Sequence, residues 1–303
     1  MERIIDKKYE NSLVSGILSL IIWAFVPTIS RLLSERIPVF VTGSITSCVG
    51  GLAVLLIRIK KGNISKINEI SSRYWVLCGI PYFLYNLCSI LAYGLTKDRE
   101  TTILINLFTA LWPLCTVVIS IPVLKEKVTK GIYLSIILCL LGLSFATVTG
   151  FSISLGKMIM NNLSAILCAI ISSVCWGIYS AYYCLIVHES KRDYQPVLQI
   201  INGNVMVIFA IINSDVSHLV FSPSTILMIL FEIILSGMLA NMLWGIAMRG
   251  KHRTSVMLLY NFSPVLSTSF TSFFLGTGIK WQVLIGSVLI AVSTYVGKKS
   301  IIT

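Results

Sequence analysis

Charge is scarce in this chain, and its scarcity excludes a soluble fold. Only 12% of the 303 residues are Asp, Glu, Lys or Arg, while 56% are hydrophobic; an ordinary soluble domain carries about a quarter charged residues. The apolar residues gather into runs of roughly 20, the length that crosses a ~30 Å hydrocarbon core as helix. Most of these runs lack the polar faces at helical spacing that a soluble bundle would show. Acidic residues are scarcest, 12 against 24 basic ones, which leaves a formal charge of +12. In a soluble protein that excess would point to nucleic acid. Here Lys and Arg sit in short loops between apolar runs, so the expected partner is the lipid bilayer and no nucleic acid is expected.

Catalytic groupings are missing too. His188, His218 and His252 fall in loops with no shared spacing, which argues against metal or triad chemistry. The eight cysteines, Cys48, Cys78, Cys88, Cys115, Cys139, Cys168, Cys175 and Cys184, all lie within apolar runs without a CxxC or Cys/His cluster, so neither metal nor disulfide is expected. The stretch Gly150–Gly156 holds two glycines but no phosphate-cradle pattern. No enzyme activity and no cofactor are expected. The basic start Met1–Lys8 leads into a run too long for a signal-peptide core, so no cleavable leader is expected.

What is present is a series of ten candidate membrane spans, at about 13–33, 38–57, 75–95, 102–124, 131–149, 162–187, 196–214, 224–248, 255–275 and 281–297. The expected fold is an all-α integral membrane protein. Turns such as Glu35-Arg36-Ile37-Pro38 and Lys97-Asp98-Arg99-Glu100 leave no room for a soluble domain, and Pro38 and Pro196 suit the first turn of a following helix. With the N-terminus in the cytoplasm, 18 of the 24 basic residues lie inside; only Arg31, Arg36, Lys97, Arg99, Lys157 and Lys280 lie opposite. The positive-inside rule therefore predicts both termini in the cytoplasm. Residues 1–150 and 151–303 resemble each other: at an offset of 155, Asn86 matches Asn241, Asn106 matches Asn261, Gly131 matches Gly286 and Gly142 matches Gly297. An amide in lipid is costly and rarely recurs by chance. Two repeats of five spans enter the membrane in opposite senses, and inverted repeats are a transporter device with substrate bound near the midplane.

Polar and aromatic residues form stripes inside the spans. Tyr82, Tyr85, Asn86, Ser89 and Tyr93 share one helix face, as do Ser172, Ser173, Trp176, Tyr179, Ser180 and Tyr183. The first span adds Ser19, Trp23, Pro27 and Ser30; the fourth Asn106, Thr109, Trp112 and Thr116; the eighth Gly237, Asn241 and Trp244; the ninth Asn261, Pro264, Thr268 and Thr271. About half of the Ser, Thr and Gly positions are assigned to helix packing. Trp75 and Trp281 sit at span ends, as headgroup anchors do, whereas Trp23, Trp112, Trp176 and Trp244 lie well inboard. Inboard indoles with amide and hydroxyl partners predict a mid-membrane site for a planar or amphipathic solute. Pro27, Pro81, Pro113 and Pro264 read equally as fixed kinks or as hinges. Glu232, inside Met228-Ile-Leu-Phe-Glu-Ile-Ile-Leu, is the one clear carboxylate away from a loop; it is a candidate proton carrier, or a side chain reaching the outer headgroups.

These residues resemble the drug/metabolite transporter superfamily in its ten-helix form with two EamA-type repeats, over nearly the whole chain. Leu111-Trp112-Pro113 with Thr116, Cys175-Trp176-Gly177-Ile178-Tyr179, and Trp244 followed by Ser263-Pro264-Val265-Leu266-Ser267 look most like its aromatic amino-acid exporter branch. The separation of Tyr85 from Trp112, and Leu20-Ile21-Ile22-Trp23, fit the same branch. The resemblance implies two inverted five-helix repeats in a bacterial inner membrane and a monomeric exporter of aromatic or other neutral amino acids. Trp23, Tyr85, Trp112, Trp176 and Trp244 would then line a central cavity. With the residues above, the expected substrate site is Trp23, Tyr82, Tyr85, Asn86, Trp112, Trp176, Tyr179, Asn241, Trp244 and Asn261. The chain departs from the branch at Thr109, where an Asn is usual, and at Gly276-Thr277-Gly278, where the first half has Lys125-Glu126. An Ile-, Ser- and Lys-rich composition is also compatible with a metabolite importer of a host-dependent bacterium, carrying for example S-adenosylmethionine. The remaining alternative is a membrane assembly factor or receptor with a dry, packed interior.

Overall fold

The computed structural model describes residues 12–60, 71–96, 99–149, 160–190, 195–213, 222–249, 259 and 262–302. Helix dominates because, in lipid, every backbone donor and acceptor has to be satisfied within the segment itself. The helices are α1 (Ser12–Ser34), α2 (Val39–Lys60), α3 (Ser72–Gly94), α4 (Arg99–Thr109), α5 (Trp112–Leu124), α6 (Gly131–Thr149), α7 (Leu163–Ser190) and α8 (Gln195–Asn213). They are followed by α9 (Pro223–Leu230, Phe231–Ala240 and Asn241–Arg249 in succession), α10 (Ser263–Phe274) and α11 (Trp281–Lys299). Among the described residues eight helical stretches are long and apolar enough to cross a membrane, and Gly131–Ala146 is a shorter apolar one. The start of the ninth predicted span lies outside the described residues. The fourth is two helices, α4 and α5, rather than one.

Large apolar side chains stay exposed along the outer faces, among them Tyr133, Leu140, Met160, Ile211 and Ile212. A continuous belt of that kind is untenable in water and is the surface a bilayer covers. Local signals set the ends. The Ser71 hydroxyl accepts from Tyr74 N–H and the Ser222 hydroxyl from Thr225 N–H, both at 3.2 Å, so each caps a helix start. Lys125 ends α5 in the left-handed conformation (φ 55°), and the α10–α11 turn uses Gly276 and Gly278 at φ 70° and 75°, where a side chain would be strained.

The packing carries a two-fold relation between the halves. α2 lies along α8, and α6 along α11. Ser47 accepts from the Asn202 amide at 3.0 Å, and these two residues are 155 apart. Cys48 abuts Gly203 with the same separation: a Cβ on Gly203 would stand 2.6 Å from Cys48 N. Contact between residue n and its own repeat equivalent arises where a symmetry axis passes between two equivalent helices. Toward the next turn Gly51 meets Ile200, so numbers fall on one helix as they rise on the other. The same holds at the second pair, where Gly142 meets Gly286 and Ser135 donates to Ser293 O at 2.7 Å. Equivalent helices therefore run antiparallel, which makes the repeats inverted. The halves also exchange their first helices: α1 packs on α9 and α10, while α7 packs on α3, α4 and α5. Neither half is a lobe of its own.

Two π-helical segments interrupt the α geometry, Trp75–Gly79 in α3 and Phe231–Ala240 in α9. They overlap under the 155-residue offset. Such insertions shift side chains around the helix and recur at functional sites.

Candidate functional site

The site is built around the interruption of the fourth span. Pro113 has no N–H to give the carbonyl of Thr109 one turn back, and α4 stops there. Leu111 N–H turns instead to Phe108 O at 3.2 Å, and the next regular bond is Cys115 N–H to Leu111 O at 3.0 Å. The freed carbonyls are served from α7, where the Ser173 hydroxyl lies 2.9 Å from both Phe108 O and Thr109 O. Trp112, the first residue of α5, thereby takes its direction from the break and from α7 together.

From Trp112 a run of rings extends through the protein. Its indole meets Trp176 edge-on, centroids 6.1 Å apart. Trp176 lies 4.5 Å from Tyr85 and 5.4 Å from Tyr179. Tyr179 contacts Tyr82 at 5.0 Å and Tyr183 at 5.3 Å. Trp112 also packs against the Leu20/Ala247 cluster, as do Trp23 and Trp244, whose own rings are 6.0 Å apart. The Trp23 Nε1–H donates to Ser236 O at 3.3 Å, within the π segment of α9. The four inboard indoles thus form two ring pairs, Trp112 with Trp176 and Trp23 with Trp244, linked through Leu20 and Ala247 and drawn from α1, α5, α7 and α9. Trp23, Tyr85, Asn86, Trp112, Trp176 and Trp244 are half-buried, whereas Tyr82 and Tyr179 are buried behind them.

The polar members divide into different tasks. Asn86 donates back to Tyr82 O of its own helix at 2.8 Å. Asn106, 2% exposed, donates to Ser267 Oγ at 3.2 Å and Thr268 Oγ1 at 3.3 Å. It fastens α4 to α10 and presents nothing to a solute. The backbone of Asn241 is helical, while its side chain and the whole of Asn261 lie outside the described residues. Glu232 sits in the π segment, half-buried, and accepts from the Ser30 hydroxyl at 3.3 Å. Ser30 is two turns along α1 from Trp23, on the same face. Among the described residues no three His, Cys, Asp or Glu side chains gather to hold a metal ion.

One end of the bundle is tied by polar contacts that sequence reasoning missed. Arg31 donates to Thr96 O at 2.8 Å and pairs with Glu35 at 3.6 Å. Glu35 also receives a two-pronged contact from Arg99, at 3.0 and 2.8 Å. The hydrogen bond from Arg99 holds the Glu35 carboxyl below its ordinary value, with the charges of Arg31 and Arg36 adding and partial burial opposing. Lys280 pairs with Glu100 at 3.2 Å, and Arg36 reaches Ser222 and Thr225 at 3.2 and 3.1 Å. These contacts join α1 to α3, α4 and α9, and α4 to the residue before α11. The only hint in the sequence is the Arg31/Glu35 spacing of four. A cavity of about 300 Å³ opens between α3 and α8 beside Trp75, Phe83, Leu198 and Asn202. Its rim includes exposed Val76, Ile80 and Ile201, a surface suited to lipid.

A model of the EamA-like transporter family matches residues 11–148 and again residues 163–296. One solved structure, described as "Crystal structure of protein", shares the fold with a TM-score of 0.67 at 20% identity, covering 95% of this chain and 98% of its own. No curated protein matches the chain.

Proposed function

We propose that this chain, which belongs to the EamA-like transporter family, is a secondary transporter of small amphipathic metabolites, aromatic and other neutral amino acids foremost. The observation that carries the reading is the surface made by Trp23, Trp112, Trp176 and Trp244, drawn from both repeats and left half-buried. Anchoring indoles belong at the headgroups; indoles that meet mid-chain, on helices from opposite halves, suit a solute bound between halves that move against each other. The resemblance to aromatic amino-acid exporters adds the substrate class and the outward direction. The resemblance adds a bacterial inner membrane, and the loop charges favour both termini in the cytoplasm, which would put the Arg31–Glu35–Arg99 ties on the outer face. Opening to that face breaks them, and the broken α4–α5 span supplies a bending point beside Trp112.

The test is a panel of labelled amino acids in liposomes holding the purified protein. Saturable counterflow of tryptophan, phenylalanine or a neutral aliphatic amino acid supports the reading. Flux no greater than in empty liposomes across the panel refutes it. Competition by S-adenosylmethionine against labelled tryptophan separates amino-acid transport from transport of a nucleoside-like metabolite.

A further inference from the structure

Glu232 has a feature that the aromatic surface does not explain. It is a carboxylate in a membrane-spanning segment, and such a group is retained against a considerable desolvation cost when it has a counter-charge or a task. Among the described residues its side-chain contact is one hydrogen bond from Ser30 at 3.3 Å, longer than the usual range for a hydroxyl donor. Among the described residues no Lys, Arg or His pairs with it: the ion pairs there are Arg31 and Arg99 with Glu35, and Lys280 with Glu100. The nearest basic side chain in sequence to its partner is Arg31, one residue beyond Ser30. Its guanidinium donates to Thr96 O and Tyr93 O at 2.8 and 3.5 Å. Arg36 is held at the start of α9 by Ser222 and Thr225.

Nor is Glu232 a headgroup ligand. It follows Ser222 by ten residues, on the order of 15 Å of helix rise, and a Glu side chain spans far less. Its neighbours point inward along the site. Ser236, about one turn further, accepts from the Trp23 indole. The π geometry of Phe231–Ala240 turns both Glu232 and the Ser236 carbonyl toward α1. A carboxyl group, an acceptor carbonyl and the Trp23 indole therefore line up between α1 and α9, and among the described residues no basic side chain pairs there. Ring faces attract cations through their quadrupole, and more so when water is excluded.

We propose that Glu232 is the charge-recognition residue of the transport site and that the transported molecule carries an organic cationic group, neutralised there while its apolar body rests on Trp23, Trp112 and Trp176. This rests on the reading of the aromatic surface as the solute site, and narrows its substrate class to amines and other organic cations, with a zwitterion bound through its ammonium end. An anion of the same shape meets an unpaired carboxylate and is excluded.

Three probes share an indole and a short side chain but differ in charge: tryptamine (cation), tryptophol (neutral) and indole-3-acetate (anion). Their binding to the purified protein is measured by isothermal titration calorimetry at pH 7. The wild type is expected to bind tryptamine about tenfold or more tighter than tryptophol, the size expected for a charge-assisted hydrogen bond, and indole-3-acetate weakest. Glu232→Gln removes the tryptamine advantage and keeps tryptophol binding, while Ser30→Ala, which leaves the carboxylate in place, keeps the preference for the cation. Should Glu232→Gln fail to give a monodisperse protein, the charge series on the wild type and on Ser30→Ala still decides. Equal binding of the three probes, preference for the anion, or an unchanged preference in a folded Glu232→Gln protein overturns the charge assignment while leaving the aromatic site standing. No binding by any probe overturns the aromatic site, and this proposal with it.

Discussion

Ser173→Ala removes one oxygen and puts the geometry of the fourth span at risk. The hydroxyl lies 2.9 Å from the carbonyls of both Phe108 and Thr109. Phe108 O has a second donor in Leu111 N–H at 3.2 Å, so its loss is partial. Thr109 O has no N–H four residues on, because residue 113 is proline. An unpaired acceptor costs about 1–3 kcal/mol when fully buried; Thr109 is half-buried, so about 1 kcal/mol, the size of the neutral hydrogen bond itself, is expected. The reasoning ties this cost to Pro113 specifically. In a Pro113→Ala background residue 113 regains an N–H for Thr109 O, so the Ser173→Ala penalty should shrink by about 1 kcal/mol, a coupling within the range of directly interacting sites. Unfolding of the four proteins of this cycle in detergent micelles measures the coupling. Ser173→Thr, which keeps the hydroxyl, should lie close to the wild type. Equal penalties in both backgrounds would refute the assignment of Ser173 as the donor that replaces the missing proline N–H.

Three further outcomes are expected. Gly142→Leu should disrupt the α6–α11 crossing, because even a Cβ there would sit 2.7 Å from Gly286 O, a backbone atom that cannot swing aside; overpacking of this kind costs about 1–3 kcal/mol or more, read as a fall in unfolding midpoint that an exposed Leu140→Ala control does not show. Asn106→Leu should destabilise by about 1–2 kcal/mol through the loss of its bonds to Ser267 and Thr268, with substrate affinity unchanged in the folded fraction, because the amide is turned away from the aromatic surface. The depressed Glu35 carboxyl contributes stability that is present above the unfolded value of about 4.3 and lost as pH falls through the lower folded value; stability should therefore be flat from neutral pH down to that region and decline in acid, and Glu35→Gln should start lower and decline less.

Much of the architecture was legible because lipid imposes strict rules. An apolar run of span length has few alternatives to helix, and the helices observed fall on the predicted runs. The offset of 155, read from paired Asn and Gly residues, reappears physically in the contact of Ser47 with Asn202 and of Cys48 with Gly203. The inboard tryptophans announced themselves by distance from span ends, and the structure pairs Trp23 with Trp244 and Trp112 with Trp176. Other features carry no sequence mark. A π segment needs only that one extra residue be fitted per turn, and Phe231–Ala240 reads like any apolar helix. Pro113 predicts an interruption, but which neighbour repairs it depends on the approach of α7, so Ser173 reads as ordinary packing serine. Asn106 pairs by repeat with Asn261, yet its side chain binds Ser267 and Thr268, because spatial proximity follows the inverted packing rather than the alignment. Of the ties among Arg31, Glu35 and Arg99, the Arg31/Glu35 pair shows as a spacing of four, but the Arg99 contact joins the end of α1 to the start of α4, beyond the reach of any local pattern.

The central claim is that a solute crosses the membrane by way of the indole surface. Tryptophan counterflow in proteoliposomes by the wild type, Trp112→Ala and Trp176→Ala, each first shown to be monodisperse and inserted, tests it most directly. Flux lost or reduced by at least about tenfold in both variants, as the removal of a principal aromatic binding face predicts, is the result this account expects. Wild-type flux in both folded variants would contradict it.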